Sequence, residues 1–345
     1  MPTVLWWARP GNPYSRNRVL RQLLTELGWT IIDFRPLLSM AGDWQARIQR
    51  VPKVDLVWVP CFRQRDLAAA LRWSRARAIP LLADPLISAY DKQVFERAKY
   101  PPGSFRARRL QAWEGRLLAA ADAVLADTAG HAQFFHSDLG VQTARLHVVP
   151  VGAEEALFRP AASAMSPHRP LEVLFYGSFI QLQGPLTIVE AARLYSGPPV
   201  VWRLVGDGPL RAACMEAAAG LASVVFEDWV DYEALPGRIH RADLVLGIFG
   251  TTAKAARVIP NKVYQAMACG RPLVTLATPA YARELLNDPD SGIEWVHAGD
   301  PADLAAAVAR LASHPETLPE RARQTRLAYE RHFSLAHPGL QVSCR

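Results

Sequence analysis

The sequence predicts an α/β protein made of two doubly wound, parallel-sheet domains that face each other across a cleft. Three observations lead there. The chain has 345 residues, more than one ordinary α/β core accommodates. Short apolar, β-branched runs alternate along it with longer stretches of helical period, the pattern of repeated βα units. That rhythm stops once, at residues 159–170, where RPAASAMSPHRP carries Pro, Ser and Ala without periodicity, and then restarts. Half of the residues are apolar and 21 % are charged, so both halves can bury a core and neither has a disordered composition.

In chain order, Val4–Trp7, Thr30–Phe34, Asp55–Val59, Leu81–Ala83, Ala123–Ala126 and Leu146–Val149 read as buried parallel strands. Between them lie helical segments such as Arg18–Leu27, closed by Gly28, and Gln64–Arg77. After the break, Val173–Tyr176, Val200–Val205, Val224–Phe226, Leu244–Ile248, Leu273–Leu276 and Ile293–Val296 read as strands. Leu186–Tyr195, Leu210–Leu221, Asn261–Cys269 and Ala302–Ala312 read as helices. The expected division is therefore an N-terminal domain over 1–158, a linker over 159–170 and a C-terminal domain over 171–335. A tail over 336–345 is expected to pack back near the N-terminal domain.

The formal charge of +7 is uneven: residues 1–150 hold 21 Lys/Arg against 12 Asp/Glu, and the rest holds 18 against 20. A basic half suits an anionic partner, such as acidic headgroups or a phosphorylated acceptor, and a merely solvated Arg-rich face accounts for it equally well. Nucleic acid is not expected, because no recognition motif accompanies the charge. The four cysteines are scattered, which argues against a disulfide framework and a zinc site and fits a reducing compartment. The first residues lack the plan of a secretory signal, and Asp or Arg interrupts every long apolar run. A cytoplasmic protein, soluble or peripheral on the inner face of the membrane, is the expectation.

The chemistry concentrates in the C-terminal half. Gly177-Ser178-Phe179 follows a strand, and Gln183-Gly184 opens a helix; a glycine there lets a phosphate approach the backbone, and a helix N-terminus favours negative charge. The next strand runs into Gly206-Asp207-Gly208-Pro209, which places a carboxylate at the sheet edge and also reads as a plain turn. Residues 249–272 then carry a Gly/Thr loop with Thr252, Lys254 and Arg257, and a helix starting at Asn261 that bears Lys262 and Gln265. Cations at a helix start oppose the helix dipole, and a bound pyrophosphate would resolve that conflict.

Phe175–Phe179 with Gln183-Gly184, then VGDGP (205–209), FEDWV (226–230) with ALP (234–236), ADLVLGIF and YQAMACGRPLVT (264–275) follow one another in an order that resembles the donor domain of glycosyltransferase family 4, a GT-B family of two Rossmann-like domains. In the N-terminal half the resemblance rests on VLADT (124–128) and HVVPVGAEEALFRP (147–160). It implies that Gly177 and Ser178 line the donor phosphates, that Gly206 and Asp207 border the nucleotide pocket, and that Trp229 and Val230 flank the base. Residues 249–265 would surround the sugar, pyrophosphate and ribose. The pattern departs from the family in two places. Ser178 and Gln183 stand where a basic pair is usual, and Arg257 and Gln265 stand where two glutamates are usual. The expectation is that Lys254, Arg257 and Lys262 replace the missing pair at the diphosphate, and that Gln265 bonds a ribose hydroxyl. IPNKVYQAMACG resembles a variant subgroup with a Pro-x-Lys-x-Tyr pattern.

In the N-terminal half, Gly11 and Asn12 lie in the loop that faces the donor in GT-B enzymes, and that loop serves equally as a cap for Arg18–Leu27. Asp84 and Asp91, near a strand end, are the candidate catalytic acids, where an acid would orient the acceptor or take its proton. Asp84 would alternatively satisfy amides around Pro85. Residues 92–116 mix seven Lys/Arg and two Glu with aromatics, a face suited to an anionic membrane surface or, equally, to solvent. His131 and His136 read as structural. No metal site and no cofactor are expected; the donor is a nucleoside diphosphate sugar, and the acceptor, lipid-linked or polyanionic, stays open. The expected function is glycosyl transfer to an acceptor hydroxyl in polysaccharide, glycolipid or other glycoconjugate biosynthesis. A nucleotide-sugar epimerase would need more acids around the donor, and a non-catalytic GT-B binding protein would fit the replaced glutamates.

Overall fold

The computed structural model describes residues 1–9 and 14–334. Gly11, Asn12 and the tail over 336–345 lie outside the described residues. The chain divides into two compact units, and the division falls between Val151 and Gly152.

The first unit is a six-stranded sheet in the order β2-β1-β3-β4-β5-β6, with every pairing parallel. Its elements are β1 Thr3–Trp7, α1 Ser15–Glu26, β2 Thr30–Phe34, α2 Gly42–Ile48, β3 Leu56–Val59, α3 Leu67–Arg75, β4 Leu81–Ala83, α4 Ala89–Asp91, α5 Phe105–Ala119, β5 Ala123–Ala126, α6 Ala129–Ser137 and β6 Leu146–Val148. The central strands read as unbroken apolar runs because helices cover both faces, and every residue of β3 and β4 is buried. Trp7 anchors the core, with its ring 4.4 Å from Phe34 and 5.9 Å from Trp73. Local chemistry fixes the helix starts: the hydroxyls of Ser104 and Thr128 accept the amides of Ala107 and His131.

The second unit holds β7 Leu171–Tyr176, α7 Pro185–Leu194, β8 Val200–Val205, α8 Arg211–Ala217, β9 Val224–Glu227, α9 Leu235–Arg241, β10 Leu244–Leu246, α10 Asn261–Ala268, β11 Leu273–Leu276, α11 Arg283–Leu286, β12 Ile293–Val296, α12 Pro301–Ser313 and α13 Leu318–His332. Its strands run β12-β11-β10-β7-β8-β9, again all parallel. Chain order therefore reverses direction at β7, which lies between β8 and β10. That reversal is the topological switch point at which doubly wound sheets open a crevice beyond their carboxyl ends.

Residues 152–158, read from the sequence as the end of the first domain, group with the second unit. Ala153 N–H donates to Tyr329 Oη at 3.1 Å, Tyr232 Oη lies 2.6 Å from Glu154, and buried Phe158 meets the Tyr232 ring edge-on. These tyrosines, far along the chain, capture the segment.

Candidate functional site

At the switch point the loops that follow β7, β8 and β10 close on one another, and glycines permit the approach. Gly206 has φ +124°, and a Cβ there would sit 2.2 Å from Gly177 O; at Gly208 it would sit 2.7 Å from Phe179 N. At Gly184, with φ +67°, a Cβ would fall 2.7 Å from the Phe249 carbonyl carbon. Hydrogen bonds lock the same approach, with Gly177 N–H to Val205 O at 3.0 Å, Phe179 N–H to Asp207 O at 2.9 Å and Phe249 N–H to Gln183 O at 3.1 Å. Gly206→Ala is accordingly expected to lower stability by roughly 2–4 kcal/mol in urea unfolding. Gly237→Ala, inside α9 with nothing near its would-be Cβ, is the control and should change little or stabilise.

Lys262, in the first turn of α10, reaches the loop that follows β7. Its side chain is buried, and Nζ lies 3.7 Å from the centre of the Phe175 ring and 5.8 Å from that of Tyr176. A Cβ on Gly177 would lie 3.3 Å from Lys262 Nζ and 3.5 Å from Gln183 Oε1. Neither the ammonium nor the amide oxygen has a hydrogen-bond partner among the described residues. Burial without a counter-charge holds Lys262 well below the ordinary lysine range. The Phe175 face supplies cation–π attraction, which supports an ammonium but offers no hydrogen-bond acceptor of the usual kind. Thus α10 brings a cation to the place beside Gly177 where Ser178 and Gln183 carry none. The N-cap residue of α10, Pro260, offers no side-chain cap and no acid stands in the first turn, which favours a positive terminus.

Other expected donor residues are placed as follows. Thr252 Oγ1 accepts the Ala255 amide at 3.2 Å and so starts the 3-10 turn Ala255–Arg257; Lys254 is buried and Arg257 and Asn261 are half-buried. Asp207 is exposed and bonds the Gly208 amide at 2.7 Å. Trp229, just beyond β9, is 60 % exposed, and Val230 is half-buried. Gln265 does not stand open for a ribose: it is buried, and its Oε1 accepts from Tyr176 Oη at 3.0 Å, tying the end of β7 to α10.

The two candidate acids lie in the first unit, and both are buried. Asp84 is fully buried, with both oxygens on Arg16 Nε at 3.0 and 2.8 Å. Burial raises its carboxyl above the usual range against the opposing pull of Arg16. Arg16 also donates to Val149 O at 2.8 Å and Pro150 O at 3.1 Å, so the pair ties β4 to the end of β6. Asp91 is buried inside α4, where its amide donates to Ser88 Oγ at 3.1 Å. Glu114, not singled out from the sequence, is a buried acid that accepts from Ser88 Oγ at 2.7 Å and from the Ala89 and Tyr90 amides at 2.7 and 2.8 Å. His131 is buried with Nδ1 on Asp127, consistent with a structural part. Among the described residues no group of three His, Cys, Asp or Glu is arranged to hold a metal ion.

This geometry can be set against known proteins. Residues 170–314 match the family model for glycosyl transferases group 1, and residues 3–152 match that for a glycosyl transferase 4-like domain. The chain has the GT-B fold, and its two halves resemble the domains of glycosyltransferase family 4. Among curated relatives, the D-inositol 3-phosphate glycosyltransferase of Acidothermus cellulolyticus is 30 % identical over 218 residues, which is 57 % of this chain and 47 % of the relative. Its counterpart in Catenulispora acidiphila is 26 % identical over 310 residues, 83 % of this chain and 71 % of the relative. The chain thus spans about half the length of the first of these relatives. Among solved structures, Anabaena HepE in complex with UDP superposes with a TM-score of 0.69 at 16 % identity, covering 96 % of each chain. Sucrose-phosphate synthase from Thermosynechococcus elongatus gives 0.68 at 18 % identity, covering 97 % of this chain and 95 % of that one. These likenesses agree with the two parallel six-stranded sheets of this chain.

Proposed function

We propose that this glycosyltransferase moves a sugar from a nucleoside diphosphate sugar to an acceptor hydroxyl, and that Lys262 neutralises the departing diphosphate. The single observation that carries the reading is the buried Lys262 ammonium, which stands without a hydrogen-bond partner beside Gly177 at the switch point of the second sheet. In the reaction the bond between the anomeric carbon and the diphosphate oxygen breaks, and its electron pair stays on that oxygen. A new bond forms to the acceptor oxygen, whose proton departs. The leaving oxygen gains charge as the bond breaks, so a fixed cation in a dry crevice lowers the barrier at that moment. Gly177 leaves room for a phosphate against the backbone, and the exposed ring of Trp229 offers the nucleobase a flat surface. Lys254 and Arg257, one turn before α10, are the further candidates for the sugar and phosphates.

UDP is bound by HepE, and UDP is accordingly the first probe here. The acceptor is taken to be anionic or lipid-linked, because Arg97, Lys99, Arg106, Arg108, Arg109 and Arg116 are exposed on the first unit. The test is a panel of nucleoside diphosphate sugars read by thermal shift, followed by nucleotide release on adding phosphorylated and lipid-linked acceptors. A donor-specific rise in melting temperature with acceptor-dependent release supports transfer. A rise without release under any acceptor favours a binding protein, the reading to which the Arg257 and Gln265 replacements point, and no rise at all removes the donor site.

A further inference from the structure

Five of the sixteen exposed large apolar side chains among the described residues fall within positions 37–48 of the first unit. Leu37, Leu38, Met40, Trp44 and Ile48 are between 64 % and 83 % exposed. The segment is clamped rather than frayed. Leu37 N–H donates to Gln45 Oε1 at 2.8 Å, Gln45 Nε2 donates to Arg35 O at 3.0 Å, and Arg72 holds Met40 O at 2.6 Å and Asp43 at 2.7 Å. The inner face of α2, with Gly42, Asp43 and Ala46, is buried, and a Cβ on Gly42 would already touch the Trp7 ring at 2.8 Å. Trp44 and Ile48, one helical turn apart, are therefore held outward, the reverse of an ordinary surface helix.

We infer that this patch docks the protein on a bilayer surface rich in anionic headgroups. Arg35, Arg47, Arg50 and Lys53 are exposed around it, with Arg47 set 5.8 Å over the Trp44 ring. The acids of the same stretch are engaged by the protein: Asp33 by Arg21 at 2.6 Å, Asp43 by Arg72, and Asp55 by the Thr3 amide at 2.7 Å. The rim is thus basic, and its alkyl stems suit the boundary between headgroup and acyl chain. Because every strand of this sheet is parallel, the segments after β2 and β4 leave the same end of it. The one after β4 brings exposed Phe95 and Phe105 with Arg97, Lys99, Arg106, Arg108 and Arg109. The stretch 92–116 becomes a basic flank, since Tyr100 and Leu110 pack on the core, and residues 37–48 become the part that inserts. A second copy of the chain is a poor occupant, because two basic rims would face each other.

This inference stands apart from the donor site. Its test is co-sedimentation of the full chain with vesicles of mixed phosphatidylglycerol and phosphatidylcholine, compared with pure phosphatidylcholine. The parent should bind the anionic vesicles and be released by salt. The double change Trp44→Ser/Ile48→Ser should lower partitioning roughly tenfold or more, and Arg47→Glu/Arg50→Glu should do the same through charge. Melting temperature and UDP affinity should stay at parent values in both variants, which separates loss of docking from loss of fold or donor site. Equal partitioning of parent and both variants, no binding to anionic vesicles, or a concentration-dependent dimer abolished by Trp44→Ser/Ile48→Ser would each overturn it.

Discussion

Lys262→Met is expected to stabilise the nucleotide-free protein by about 1–3 kcal/mol while weakening UDP binding roughly ten- to a hundredfold. Most substitutions at a ligand contact leave stability alone or lower it. Here the replaced group is a buried ammonium without a hydrogen-bond partner among the described residues, resting on the Phe175 ring. Methionine keeps most of the stem volume and removes the desolvated charge. Urea unfolding and calorimetric titration with UDP read the two effects separately, and opposite signs mark a group kept for ligand rather than for fold.

The same residue sets a pH dependence. Lys262 is held well below the ordinary lysine range by burial. Between its folded-state value and the ordinary one, the unfolded chain binds a proton that the folded chain does not. Stability of the nucleotide-free protein should therefore rise with pH across that window and fall as pH drops through it. A bound diphosphate favours the charged form, so UDP binding should take up a proton and weaken as pH rises. Titration in buffers of different ionisation enthalpy reads the uptake, and Lys262→Met should abolish it.

Asp84→Asn is expected to cost about 3–5 kcal/mol of stability, because it leaves the Arg16 charge buried without its carboxylate. Arg16→Met/Asp84→Leu, which removes both charges, should recover much of that loss. If Asp84 acted as a base, Asp84→Asn would instead depress kcat in a folded protein with little change in stability. Unfolding midpoints together with kcat, measured on the single and double variants, distinguish the two.

The two sheets were legible in the sequence because the twelve strands among the described residues are short, largely apolar runs punctuated by helical stretches, and both features are local. The glycines of the second unit were legible too, since a strand followed by glycine at 177, 206 or 250 signals close backbone approach. Pairings across long stretches of chain were not. Asp84 was visible as an acid at a strand end, but its partner Arg16 stands 68 residues earlier. Gln265 was visible as a polar group near the crevice, yet Tyr176, 89 residues away, uses its oxygen. Residues 37–48 were not singled out from the sequence, where apolar residues are ordinarily assigned to the interior; the hydrogen bonds of Gln45 and Arg72 hold the segment with its apolar side chains outward.

The central claim is that Lys262 receives a nucleotide's diphosphate beside Gly177, and a crystal structure with UDP tests it most directly. A phosphate oxygen is expected at about 2.7–2.9 Å from Lys262 Nζ, against the Gly177 backbone. Diphosphate bound elsewhere, with Nζ still resting on the Phe175 ring, would contradict it.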